Sequence, residues 1–415
     1  MTNILSLSCS NGAHSHLIPL FVLNQRYFRR MTNINNNFLL PQKLHKQYEE
    51  AEISVLPIDF ALLDGSEPNG TIQEDAGKVK ETQYRQFVNK VDSALKMSNA
   101  DIVIDSNEAL STIIAEKNKI PRISIHRTGL FRSIDKNLRN PAHIHSMEKT
   151  NYGKGFDAYL ILNPKKKLSK LYSKYLRTTY LKDDVDYFMR YLDAKTKLIP
   201  GIPSIEILPD DIKNKDSYFY TGPLLIEDKP SQKLSQELST FFEINKNKKT
   251  VFISTGLIDQ DDIQEMVLYL LKEKYAVISS RKLINSNDYK DQIYQNPFLS
   301  LNYICAKVNL VIHHCGSGMY HYPLLHQKPV ITIGTQCYDR EDVALRLQQL
   351  KLSRHVPSFR DDENYMEIFT DCVQAFEKGE LSDFEQLKKI KIEINQTMLD
   401  FDMDEVIDYT LKSSI

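Results

Sequence analysis

Leu310-Val-Ile-His-His-Cys-Gly-Ser-Gly318, with Pro329-Val-Ile-Thr-Ile-Gly334 behind it, is the stretch on which the fold turns. A short apolar run ends in a polar cluster with two glycines, and a second apolar run follows about one helix later. That pattern predicts a βαβ unit whose first turn comes close to a ligand. Glycine is scarce, 14 in 415 residues, so two in one turn call for a reason. A Gly-Ser-Gly turn that opens a helix exposes unpaired N–H groups at the positive end of the helix dipole. Such a turn suits a phosphate, and His314 can add a donor. On these residues alone a simple packing turn between strand and helix stays open. His313 faces the other side of a continuing strand and reads as structural. His321 and His326 read as packing or surface residues of the helix that follows.

Outward from that stretch the strand–helix alternation continues. Thr250–Thr255 reads as a strand, followed by Gly256 and an acidic helix start at 259–262; Ala276–Ser280 is the next strand. Before a polar, proline-containing linker at Glu227–Lys233 lies a first half of the same kind. Its strand-like runs are Ile4–Ser8, Ile53–Ile58, Ile102–Asp105, Arg122–Ile125 and Ala158–Leu162. Leu17–Tyr27, Val88–Met97 and Ala109–Glu116 read as helices. Alternation of this kind implies parallel sheets covered on both faces, so the fold class is α/β with two doubly wound halves. The end of the chain, Asp383–Ile415, reads as helical and charged.

Composition narrows the function. With 53 basic against 54 acidic residues the formal net charge is −1, and nothing points to a nucleic acid partner. No run approaches the ~18–20 apolar residues of a membrane span. The N-terminus lacks the basic start of a signal peptide, and the five scattered cysteines form no C-x-x-C pair, so a reducing cytoplasm is the expected location. The lysine run at 165–177 reads as a solvated helix face more readily than as an anionic-surface patch, because three aspartates follow it.

The turn after the first strand reads Ser8-Cys-Ser-Asn-Gly-Ala-His-Ser-His-Leu-Ile-Pro-Leu20. In an open α/β sheet ligands sit at the carboxyl ends of strands. His16 would stand there, where a neutral imidazole can take a proton from a hydroxyl. Asp105, ending another strand, is the candidate to hold its second ring nitrogen. The plainer reading makes His14 and His16 capping or solvent-facing residues.

His16-x-x-Pro19 in the first half and His314-Cys-Gly-Ser-Gly318 in the second together resemble the UDP-glycosyltransferase family of GT-B fold, and within it the bacterial branch that glycosylates macrolides and other natural products. The resemblance is weak over 130–210 and good over 250–352. It implies two Rossmann-like domains facing across a cleft: 1–225 for the acceptor, 226–395 for the nucleotide-sugar donor, and a C-terminal helix, 396–415, packing back on the first. It makes His16 the general base of an inverting transfer with Asp105 as its partner, Ser106 being the competing position. His314, Cys315, Gly316, Ser317 and Gly318 match the diphosphate motif, with Cys315 in place of a glycine. That thiol is either reactive in the phosphate turn or a core residue. Ser254 and Gly256 match a second turn facing the diphosphate, and Phe298 falls in the slot of an aromatic that stacks on the base. Asp339 matches the Asp of a donor-sugar pair. Arg340 stands where Gln is expected, which shifts sugar preference towards a carboxylate or fewer hydroxyls.

The function implied is transfer of a sugar from a nucleotide diphosphate sugar to a hydroxyl of a small-molecule acceptor. No cofactor and no metal are expected, since no carboxylate cluster stands near the turn. The partners are the donor and a small hydroxylated acceptor, with no nucleic acid and no transmembrane segment, and a homodimer is left open. Other GT-B enzymes, a lipid glycosyltransferase or a nucleotide-sugar epimerase, are the alternatives, as is a non-catalytic helper protein of the same fold.

Overall fold

The computed structural model describes residues 1–8, 14–60, 81–106, 115, 118–125, 194–208, 214–227, 229–254, 260–284, 289–335, 338–358 and 362–412. The expected strand at 158–162, the helix at 109–116 apart from Ala115, and most of the expected acceptor walls at 60–90 and 130–190 lie outside these residues. Among the described residues there are two six-stranded sheets, each parallel throughout.

The first sheet holds β1 (Thr2–Leu7), β2 (Ile34–Leu39), β3 (Ile102–Asp105), β4 (Arg122–Ile125), β5 (Thr196–Ile199) and β6 (Tyr218–Tyr220), in the order β2-β1-β3-β4-β5-β6. Ile53–Ile58, expected as a strand, makes only an isolated bridge from Val55 to Phe38. The Asn-rich β2 takes the place beside β1 instead. Its polar side chains are satisfied from neighbours: Ser6 donates to Asn36, Asn36 to Asn24, and Ser54 to Asn37. Helix α1 (His14–Arg26) covers one face, its Leu17, Leu20 and Leu23 packing on Ile4, Ile102, Ile104 and Ile123. Helices α2 (Gln42–Glu50) and α3 (Glu81–Ser98) follow.

The second sheet holds β7 (Thr250–Ser254), β8 (Ala276–Ser279), β9 (Ile293–Gln295), β10 (Leu310–His313), β11 (Val330–Ile333) and β12 (Ser353–Val356), ordered β12-β11-β10-β7-β8-β9. Its helices are α4 (Gln232–Ile244), α5 (Gln260–Lys272), α6 (Leu301–Lys307), α7 (His321–Leu325), α8 (Tyr338–Gln349) and α9 (Tyr365–Glu377). Leu270 and Phe369 pack on one face, Leu238 and Ile304 on the other. With both faces buried, the strands read as near-continuous apolar runs. In each sheet the strand order reverses beside the first strand, between β1 and β3 and between β7 and β10. A crevice opens at such points, and ligands of doubly wound folds bind there.

The chain crosses between the halves twice. The first crossing follows β6, where Gly222 adopts a left-handed φ of +65°. A Cβ there would lie 2.4 Å from Cγ of Met398, so only glycine fits. The second crossing joins α10 (Phe384–Asp400) to α11 (Met403–Lys412). Leu387, Ile390 and Ile394 of α10 share a cluster with Leu347 and Leu352 of the second half. Met403, Val406 and Ile407 of α11 belong to the core of the first half.

Candidate active site

Strand β10 delivers the Gly-Ser-Gly turn to the carboxyl edge of the second sheet, at the reversal between β7 and β10. The ring of His313 is fully buried, and its Nδ1 accepts the N–H of Cys315 at 3.0 Å. Burial, and the neighbouring His314, push its pKa down to about 3, so this ring stays neutral and holds the turn. His313 is structural, as the alternation of the strand implies.

His314 is placed differently. Its Nδ1 lies 3.0 Å from the carbonyl oxygen of Ser254 at the end of β7. A carbonyl only accepts, so Nδ1 carries a proton, and in the neutral ring Nε2 then carries the lone pair. That Nε2 lies against Gly316, where a Cβ would stand 2.9 Å from it. Glycine at 316 makes room for the imidazole. Gly318 has open space where its Cβ would be. The N–H groups of Gly316, Ser317 and Gly318 donate to no protein acceptor among the described residues, and all three residues are half-buried. Three successive free donors make a concavity for an anion. The helix behind them is shorter than expected. The chain turns through Met319 and Tyr320, both bonded back to the Gly316 carbonyl, and α7 is five residues long. The free N–H groups, more than a long helix dipole, give the turn its positive character.

Cys315 answers two questions raised by its place in the motif. Its φ is +55°, left-handed backbone that an L-residue adopts at a cost of about 1 kcal/mol. Its side chain is fully buried with Ile202, Ile205, Tyr320 and Leu324. The thiol is therefore a core group, not an accessible reactive one, and the residue's N–H is committed to His313. Of the other donor-side residues, Ser254 is half-buried at the end of β7, and Gly256 lies outside the described residues. Phe298 is 82% exposed in the loop after β9, its N–H donating to Asn296, so its ring is open for stacking. Asp339 and Arg340 sit in the first turn of α8. The Asp339 side chain lies outside the described residues and Arg340 is half-buried.

In the first half, His16 is half-buried in the first turn of α1. Asp105 ends β3 beside Leu7, at the same sheet edge. Ile102 and Ile104 face α1, so Val103 and Asp105 point to the opposite face. There Asp105 is paired with Arg122 of β4 at 3.4 Å, both side chains buried. Asp105 thus has an ion-pair partner in Arg122 that the sequence does not announce, and its role beside His16 belongs to the functional reading below. Ser106, the competing position, is also buried. Arg122 carries no sequence signal of this role; it reads as the start of an apolar strand. Among the described residues no group of three His, Cys, Asp or Glu could hold a metal ion, and no helix is long and apolar enough to cross a membrane.

No protein-family model matches the chain, and no curated protein does. Solved structures do. The glycotransferase of kitacinnamycin superposes with a TM-score of 0.68 at 12% identity, covering 99% of this chain and 100% of that one. A UGT transferase from Siraitia grosvenorii in complex with UDP gives 0.62 at 10% identity, with 100% of both chains covered. Glycosyltransferase VinC in complex with dTDP gives 0.60 at 13% identity, with 99% of each covered. The chain has the GT-B fold. Its two Rossmann-like sheets are those of GT-B structures, and the two candidate constellations occupy the two places where the strand order of this GT-B chain reverses.

Proposed function

We propose that this GT-B protein is a metal-independent, inverting glycosyltransferase that moves a sugar from a nucleotide diphosphate sugar to a hydroxyl of a small acceptor. The observation that carries the reading is the run of three free N–H groups beside His314 at the reversal of the second sheet. A diphosphate fits that concavity, and structures of the same fold have been solved with UDP and with dTDP. In this reading residues 1–225 hold the acceptor, 226–395 hold the donor, and 396–415 close back on the first half. A cytoplasmic location and the lack of a resident cofactor belong to the same reading.

The chemistry is a single displacement. His16, with Asp105 as its partner in this reading, takes the proton of the acceptor hydroxyl as its oxygen bonds to the anomeric carbon from the face opposite the leaving group. The bond from that carbon to the diphosphate oxygen breaks, and its electron pair leaves on the diphosphate. The N–H groups of 316–318 and the Ser317 hydroxyl meet the charge that develops there. Ser254 and Phe298 complete the donor side, Phe298 by stacking on the base. Asp339 and Arg340 face the sugar.

The tautomer of His314 makes this testable. With Nδ1–H committed to Ser254, Nε2 can donate to a phosphate oxygen only after a second proton binds. Diphosphate binding through His314 therefore takes up a proton. The affinity this contact contributes is present at low pH and is lost as pH rises and the bound imidazolium deprotonates. His313, beside it, stays neutral and does not compete for that proton. Calorimetry of UDP and dTDP in buffers of different ionisation enthalpy should show proton uptake in the unaltered protein and none in His314→Gln. The variant should bind more weakly by about 1.5–3 kcal/mol, the worth of a hydrogen bond to a charged group. If neither nucleotide binds, the donor site is misplaced.

A further inference from the structure

A set of contacts that the sequence does not announce joins Thr335, the start of α8 and the last two strands of the second sheet. Glu341, in the first turn of α8, folds back towards the second sheet. Its Oε1 accepts the N–H of Thr335 at 2.6 Å, and its Oε2 lies 3.1 Å from Nε2 of His355 on β12. His355 Nδ1 in turn lies 3.0 Å from Oγ1 of Thr332 on β11, and the His355 N–H donates to Gln348 of α8 at 2.8 Å. The two ionisable side chains are nearly buried, at 11% and 13% exposed.

An acidic residue in a helix's first turn ordinarily favours the helix by lying near its own N-terminal N–H groups. Glu341 instead reaches the loop ahead of the helix and the strand beyond it. Both carboxylate oxygens are used, in a site where water competes little, so the start of α8 has one position relative to β11 and β12. Asp339 and Arg340 are the two residues immediately before Glu341.

We propose that Glu341 and His355 are positioning residues for the donor sugar: they fix the first turn of α8 and so set where Asp339 and Arg340 meet the sugar. This rests on the donor-site reading given above. The contacts given for the pair run to Thr335, β11 and α8, whereas the diphosphate turn hangs from β10. The pair therefore governs recognition of the sugar and leaves recognition of the nucleotide alone.

The test compares two ligands that differ only in the sugar. Affinities for UDP and UDP-glucose, and for dTDP and dTDP-glucose, are measured by calorimetry on the full chain, with melting temperature as the check on folding. Glu341→Ala and His355→Ala should lower the affinity for the sugar conjugate about tenfold relative to that for the bare diphosphate, as loss of an orienting partner does elsewhere. The bare diphosphate should change by less than about twofold. Glu341→Gln keeps an oxygen for the Thr335 N–H and should recover most of the loss. Equal losses for both ligands, or no loss for either, in folded variants would overturn the proposal. Failure of the unaltered protein to bind either diphosphate would overturn the donor-site reading itself, and the proposal with it.

Discussion

At the scale of single residues, Cys315 shows most clearly what a sequence motif encodes. The family pattern has glycine there, and two physical reasons could demand it: left-handed backbone or lack of room. The structure separates them, since φ is +55° while the side chain fits inside the core. A testable sign reversal follows. In ordinary helices and strands Gly is less stable than Ala by about 0.5–1 kcal/mol. At 315 the left-handed backbone should invert that order, with Cys315→Gly more stable than Cys315→Ala by about 1 kcal/mol in denaturant melts. Gly at 315 less stable than Ala would mean that the turn relaxes to a right-handed form. The glycines at 316 and 318 could be read directly from the sequence as a turn, but the tautomer of His314 could not. It depends on the carbonyl of Ser254, sixty residues away and brought close only by the pairing of β7 with β10.

Elements were legible in proportion to the length of their apolar runs. The strands at the sheet centres, β1, β3, β7, β8, β10 and β11, are apolar runs and read as such. Those missed have polar or very short runs: β5 opens on buried Thr196-Lys197, β6, β9 and β12 lie at sheet edges, and β2 is disguised by Asn35-Asn36-Asn37, whose amides find partners that no local pattern reveals. Alternation along β3 also governs the base site, because it turns Asp105 away from α1. The two residues should therefore respond differently to substitution. His16→Ala should lower turnover by about 10² or more, measured on an acceptor found by screening, with little change in melting temperature. Asp105→Asn should act first on stability, by roughly 3 kcal/mol, since it removes the buried carboxylate paired with Arg122. A stable Asp105→Asn protein with lost turnover would support Asp105 as the partner of His16.

For the whole molecule, the order of strands and helices was enough to give two doubly wound halves, because alternation of period forces parallel sheets. For the last thirty residues an amphipathic pattern does not by itself say which core a helix will complete, and only the resemblance pointed to the first half. Helix α11 completes the first half. Thr410 bonds Thr196 of β5, and the ring of Tyr409 meets Phe219 of β6 edge-on. Ending the chain at Asp400 removes Met403, Val406 and Ile407 from that core, worth about 1.5–3 kcal/mol each. The second half keeps its own clusters. Calorimetric melting of the shortened chain should split into two transitions, the earlier belonging to the first half. A single unshifted transition would show that α11 adds nothing to that core.

The two crossings have a mechanical consequence. Bodies joined by one flexible strand can swing and twist in any direction; bodies joined at two separate points can only rotate about the line through them. Gly222, locked in place under Met398, is one such point, and the join from Asp400 to Met403 is the other. Relative motion of the two halves is therefore restrained at both crossings and by the packing of Ile202 and Ile205 with α10. The Gly-Ser-Gly turn is tied to the same seam, because Cys315 packs on Ile202 and Ile205 from the segment that follows β5.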